Sequence, residues 1–112
     1  MTITTLTKNN IGFNIPYMDG ELLFYRKNIE PNGDIVEMKV WRVPRSKDKP
    51  HGMKYSLVYI REGKRLVGYD NAEGKGDHRH YKGREHPYHF SGVEVLIGDF
   101  LKDVEKARRN EL

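Results

Sequence analysis

At 112 residues the chain suits one domain, 1–112, with room for a single sheet and a single helix. It has no cysteine, which excludes disulfides, thiolate zinc sites and a cysteine nucleophile. It also has no apolar run near the ~20 residues that a membrane-crossing helix needs. The start, MTITTLTKNN, has neither a basic n-region nor an apolar stretch, so a cytoplasmic location is expected and a membrane partner is not.

The net charge of +4 is unevenly spread. Residues 39–88 hold thirteen Lys or Arg against six Asp or Glu, a net of +7, while the flanking stretches are slightly acidic. A basic middle favours an anionic partner through its field and through counterion release, and RNA is the partner expected.

In chain order, residues 1–19 alternate weakly and read as an irregular arm or an edge strand. Residues 20–82 read as sheet. Glu21–Lys27 is the first clear strand, and Pro31-Asn32-Gly33-Asp34 supplies turn chemistry to reverse it. In Ile35–Val43 the apolar Val36, Met38 and Val40 alternate with Glu37 and Lys39, the period of a sheet with one buried face. Trp41 falls on the polar side. Pro44–Pro50 is a basic loop. Met53–Arg61 and the run from Lys64 to Asp70 form a hairpin about Glu62-Gly63. A short fifth strand over Arg79–Lys82 follows a loop containing Gly74 and Gly76. Residues 91–109 read as a helix with Ser91 as N-cap, Glu94 as its capping-box partner and Phe90 stapled on Val95. Val93, Leu96, Ile97, Phe100, Leu101 and Val104 give it an apolar face. The expected class is α+β, a four- to five-stranded antiparallel meander packed by one carboxy-terminal amphipathic helix.

Four of the five histidines lie within His78–His89, and histidine trades protons near neutral pH. His78 and His80 stand two apart, so in extended chain both rings leave one side of the strand and Arg79 leaves the other. Side-by-side imidazoles suit RNA cleavage as general base and general acid, one taking the proton of the 2′-hydroxyl and the other supplying one to the 5′-oxygen. The segment's cations suit a phosphate. Lys75 in its glycine-flanked loop is a binding candidate, with Lys82 and Arg84 beside it and Arg42 and Arg45 in the preceding basic stretch, and Arg79 is a candidate for stabilising the phosphorane. Asp70 and Asn71 end a strand and can either orient a histidine or satisfy turn backbone. Tyr55, Tyr59 and Tyr69 read as core.

Other templates fail. There is no phosphate loop, dinucleotide fingerprint or nucleophile elbow. His-x-His is also half of a metal site, but no third ligand has diagnostic spacing, so no metal and no cofactor are expected. A nonenzymatic RNA- or DNA-binding module, or a protein acting only through its partner, remains open on composition alone.

The run RLVGYDNAEGKGDHRHYKG, then HPYHF and LIGDFLKDV, resembles the TumE-type toxins of prokaryotic toxin–antitoxin pairs over about forty residues. The shared motif marks Tyr69, Asp70, Asn71, Gly74, Gly76, His78, His80 and Tyr81. Tyr81 joins the catalytic candidates on that ground, and Asn71 the binding ones. The resemblance implies a small toxin and an antitoxin partner of the helix-turn-helix kind. A homodimer or a toxin–antitoxin hetero-oligomer is the assembly expected. Ribonuclease activity is the inference drawn from the residues.

Overall fold

The structure, a computed structural model, describes residues 2–6, 20–72 and 74–112. Among the described residues, seven strands follow one another in an antiparallel meander whose spatial order equals chain order. They are β1 (Thr2–Leu6), β2 (Glu21–Ile29), β3 (Ile35–Arg42), β4 (Met53–Arg61), β5 (Lys64–Asp70), β6 (His78–Tyr81) and β7 (Arg84–Pro87), and one helix, α1 (Val93–Arg108), closes the chain. The α+β meander expected from periodicity is present, with more strands than four or five.

The additional strands have physical causes. Thr2–Leu6 pairs along β2 in the register Thr2↔Ile29 to Leu6↔Tyr25, so the edge-strand alternative holds for that stretch, and the rest of the arm lies outside the described residues. The sheet also runs past residue 82. Lys82 and Gly83 adopt φ of 52° and 72°, as Glu62 and Gly63 adopt 52° and 76°, the double positive-φ geometry of a two-residue hairpin. That turn folds Arg84–Pro87 back on β6. At the β2–β3 turn, Asn32 Oδ1 accepts from the Asp34 amide at 2.9 Å and Gly33 takes φ 92°.

One face carries the core. Val36, Met38, Val40, Tyr55, Leu57, Tyr59, Val67 and Tyr69 pack against Leu96, Phe100, Val104 and Ala107 of α1. At about 1.5–3 kcal/mol for each large apolar side chain buried, this contact dominates the helix's stability. The buried stripe is narrower than the sequence implied, because Leu101 is exposed. The expected cap is corrected as well. Gly92 at φ 118° is the N-cap and no side chain caps the helix, so Ser91 does not. Phe90 stacks on His51 and Tyr55 at 4.1 and 5.7 Å between ring centroids, while Val95 faces outward.

Buried tyrosines on this face end on carboxylates. Tyr69 donates to Asp103 at 2.6 Å, Tyr55 to Asp77 at 2.6 Å and Tyr59 to Asp34, which satisfies hydroxyls that a dry core would leave unpaired. All three read as core from the sequence, and all three are.

Candidate functional site: a histidine–carboxylate cleft

The face of the sheet opposite α1 holds a cleft of about 340 Å³ lined by Trp41, Ser56, Asp70, His78 and His80, with Lys39, Lys54, Arg65, Lys75 and Glu85 around them. Strand register assembles its centre. Asp70 in β5 pairs with His78 in β6, and His80 pairs with Gly68 on one side and Glu85 on the other. Side chains of three adjacent strands therefore converge without help from a flexible loop.

Asp70 bridges both rings. Its Oδ1 lies 2.6 Å from His78 Nε2 and its Oδ2 lies 3.4 Å from His80 Nε2. The two rings meet edge to face at 4.8 Å. His78 is buried, and its Nδ1 lies 3.0 Å from the carbonyl of Gly76. Both ring nitrogens of His78 therefore face oxygens able to accept a hydrogen bond.

His80 differs. Arg65 Nη2 approaches its Nδ1 at 3.1 Å, and a guanidinium can only donate, so that nitrogen presents its lone pair and the ring proton sits on Nε2 toward Asp70. Burial first, then the charge of Arg65, holds the His80 imidazole below its ordinary value of 6.5, with Asp70 acting against them. Desolvation and a neighbouring cation both disfavour the charged ring. The two rings thus differ in surroundings: His78 faces oxygens at both nitrogens, and His80 faces a guanidinium at one and a carboxylate at the other.

Gly68 makes the Arg65 contact possible. A Cβ at that position would sit 2.8 Å from Arg65 Cδ, so only glycine lets the arginine lie across β5. A glycine inside a strand is a known sign of such close approach.

The loop that delivers His78 is pinned from below. Gly74 and Gly76 take φ of 70° and 75°, and the Asp77 carboxylate receives the Tyr55 hydroxyl at 2.6 Å and His51 Nε2 at 3.1 Å. Asp77 therefore anchors the loop and does not enter the cleft.

The structure divides the sequence-derived candidates. Asp70, Lys75, His78 and His80 come together in the cleft. Arg79 and Tyr81 project to the helix face, where Arg79 grips Asp103 at 2.7 and 3.0 Å and lies 4.3 Å over the Tyr81 ring, and Tyr81 stacks on His86. Neither lines the cleft that holds His78 and His80. Asn71 is buried and spent on backbone, accepting from the Tyr55 amide at 3.1 Å and donating to the Met53 carbonyl at 2.8 Å. Lys82 and Arg84 lie at the β6–β7 turn beside Tyr81 and His86. Arg42 pairs with Glu21 at 3.1 Å, and Arg45 is exposed in the loop after β3. Trp41 is on the cleft face, as alternation implied, but it is buried there with Lys54 Nζ 5.2 Å from its ring.

Sequence reading missed Arg65, Glu85, Lys39 and Lys54. For Arg65 the glycine at 68 was the available signal. Asp70, His78 and His80 also present donor atoms within 4.8 Å of one another, so the pairing of β5 with β6 brings to the His-x-His pair a third group able to ligate, which spacing did not reveal.

A seven-stranded meander backed by one helix, with a histidine–carboxylate cluster on the face opposite that helix, defines a small α+β domain. The family model described as toxin TumE matches residues 5–108, and the chain belongs to the TumE toxin family. No curated protein and no solved structure matches it. No helix among the described residues is long and apolar enough to cross a membrane.

Proposed function

We propose that this toxin is a metal-independent endoribonuclease that acts in the cytoplasm and is neutralised by an antitoxin of the helix-turn-helix kind. The observation that carries the reading is the Asp70–His78–His80 cluster set among Lys39, Lys54, Arg65 and Lys75. Cations at the rim recruit an RNA phosphate and stabilise the charge that grows on it, the task a metal ion performs elsewhere.

His80 is the base. An RNA phosphate draws the exposed Arg65 off Nδ1, the 2′-hydroxyl takes its place, and its proton passes to that nitrogen while Asp70 steadies the resulting imidazolium through Nε2. The freed 2′-oxygen attacks the adjacent phosphorus. His78 is the acid, giving its Nε2 proton to the departing 5′-oxygen, so a 2′,3′-cyclic phosphate and a 5′-hydroxyl result. Lys75 holds a non-bridging oxygen.

Induced expression in a bacterial host tests the reading. The wild type arrests growth, and folded His80→Ala and Asp70→Asn proteins do not. Variants as toxic as the wild type would remove the cluster from the toxic activity.

A further inference from the structure

The cluster contains more than its acid–base pair requires. Glu85 Oε2 lies 3.8 Å from His78 Nε2 and 3.9 Å from His80 Nε2, facing the same point as Asp70 from the other side of β6. Two imidazole nitrogens thus meet carboxylates from both flanking strands, and the donor atoms of Asp70, His78 and His80 lie within 4.8 Å of one another. That donor set suits a borderline cation such as zinc, whereas magnesium and calcium select all-oxygen ligation.

We propose that Asp70, His78, His80 and Glu85 form an inhibitory binding site for a divalent cation of the zinc class. The inhibitory consequence rests on the ribonuclease reading; the binding does not. Support comes from what stands behind the ligands. The Nδ1 of His78 faces the Gly76 carbonyl at 3.0 Å, the outer contact that fixes a ligating imidazole with Nε2 toward the metal. All four side chains rise from three paired strands, so the backbone needs no rearrangement. Tetrahedral ligands at ~2.0–2.1 Å from zinc stand roughly 3.4 Å apart. The Glu85 contacts close slightly, and the 2.6 Å Asp70–His78 contact opens.

The protons balance. Zinc takes the Nε2 lone pairs of both rings, so both Nε2 protons are displaced; His80 takes one back on Nδ1, Arg65 turns into solvent, and one proton is released. The nitrogen that accepts the 2′-hydroxyl proton and the nitrogen that protonates the leaving oxygen are then both unavailable. A bound cation stops cleavage.

Glu85 transfers no proton in the proposed cleavage and its side chain is 47% exposed, so Glu85→Gln tests the site through zinc binding read without RNA. Metal-free full-length protein is titrated with zinc chloride by calorimetry, with the imidazole resonances of His78 and His80 followed by NMR. The wild type binds one equivalent, both rings shift, and RNA cleavage falls in proportion. Glu85→Gln binds zinc about tenfold or more weakly, since even outer-shell losses cost that much. Absence of saturable binding, or equal affinity in Glu85→Gln and His78→Ala, overturns the site. Zinc that binds and leaves cleavage intact or raises it overturns the inhibition. Because binding is read without RNA, a protein that cleaves nothing fails the ribonuclease reading and leaves the site to be judged by calorimetry alone.

Discussion

Arg79 sits between two histidines in sequence, yet its guanidinium belongs to the fold. Replacing it with methionine keeps the aliphatic stem and removes both hydrogen bonds to Asp103. The Asp103 side chain is 7% exposed and that of Arg79 27%, so the pair is mostly withdrawn from water. Breaking a buried pair by removing one partner costs roughly 3–5 kcal/mol, and the partial exposure of Arg79 places this case near 3 kcal/mol. For a chain of this length that lowers Tm by about 12 °C. The second substitution, Asp103→Leu, removes the stranded carboxylate and returns about 2 kcal/mol; the remainder reflects the Tyr69 hydroxyl, which has lost its acceptor. Thermal and urea unfolding of both variants measure these steps, and RNA cleavage is assayed below the lowered Tm. Arg79→Met that is as stable as wild type, or folded but inactive, would return Arg79 to the chemistry and refute the reasoning.

Other expectations come from neighbouring contacts. Asn71→Ala leaves the Tyr55 amide and the Met53 carbonyl without their partner and lowers stability by roughly 2–3 kcal/mol in urea titrations; an unchanged midpoint would contradict the bridging role. Hydrogen bonds from Arg61 hold the Asp34 carboxyl down at about 2, with burial opposing and Tyr59 and Asn32 assisting. A folded-state value below the unfolded one near 3.9 contributes stability that is full above the unfolded value and is lost as pH falls from there through about 2. The fall in urea midpoint between pH 4 and 2 should therefore be shallower in Asp34→Asn than in the wild type. Arg65→Glu and Lys75→Glu should each reduce the salt slope of RNA binding by about one, and more than Arg42→Glu or Arg45→Glu does; equal effects would spread the interface beyond the cleft.

Much of the sheet was legible because its signals are local. Alternation in Ile35–Val43 and the Glu62-Gly63 turn placed the central strands, and the spacing of Leu96, Phe100 and Val104 placed the helix. The second hairpin escaped because the strand after Lys82-Gly83, Arg84–Pro87, reads REHP and has no apolar alternation to mark it. At the site, the two-residue spacing correctly put His78 and His80 on one side and Arg79 on the other. It could not show that the other side is the helix face, where a guanidinium finds Asp103, 24 residues away. Glu85 and Arg65 enter the cleft through strand pairing, which no spacing along the chain reveals. Asn71 was ambiguous for a similar reason, since a buried amide that bridges two strands and one that serves a site look alike in sequence.

The central claim is that Asp70, His78 and His80 cut RNA by moving protons. End-group analysis of RNA treated with purified protein in excess chelator tests it most directly. The account predicts undiminished cleavage leaving 2′,3′-cyclic phosphate and 5′-hydroxyl ends, with the products absent in His80→Ala. Products ending in 3′-hydroxyl, or cleavage lost to the chelator and restored by a divalent cation, would contradict it.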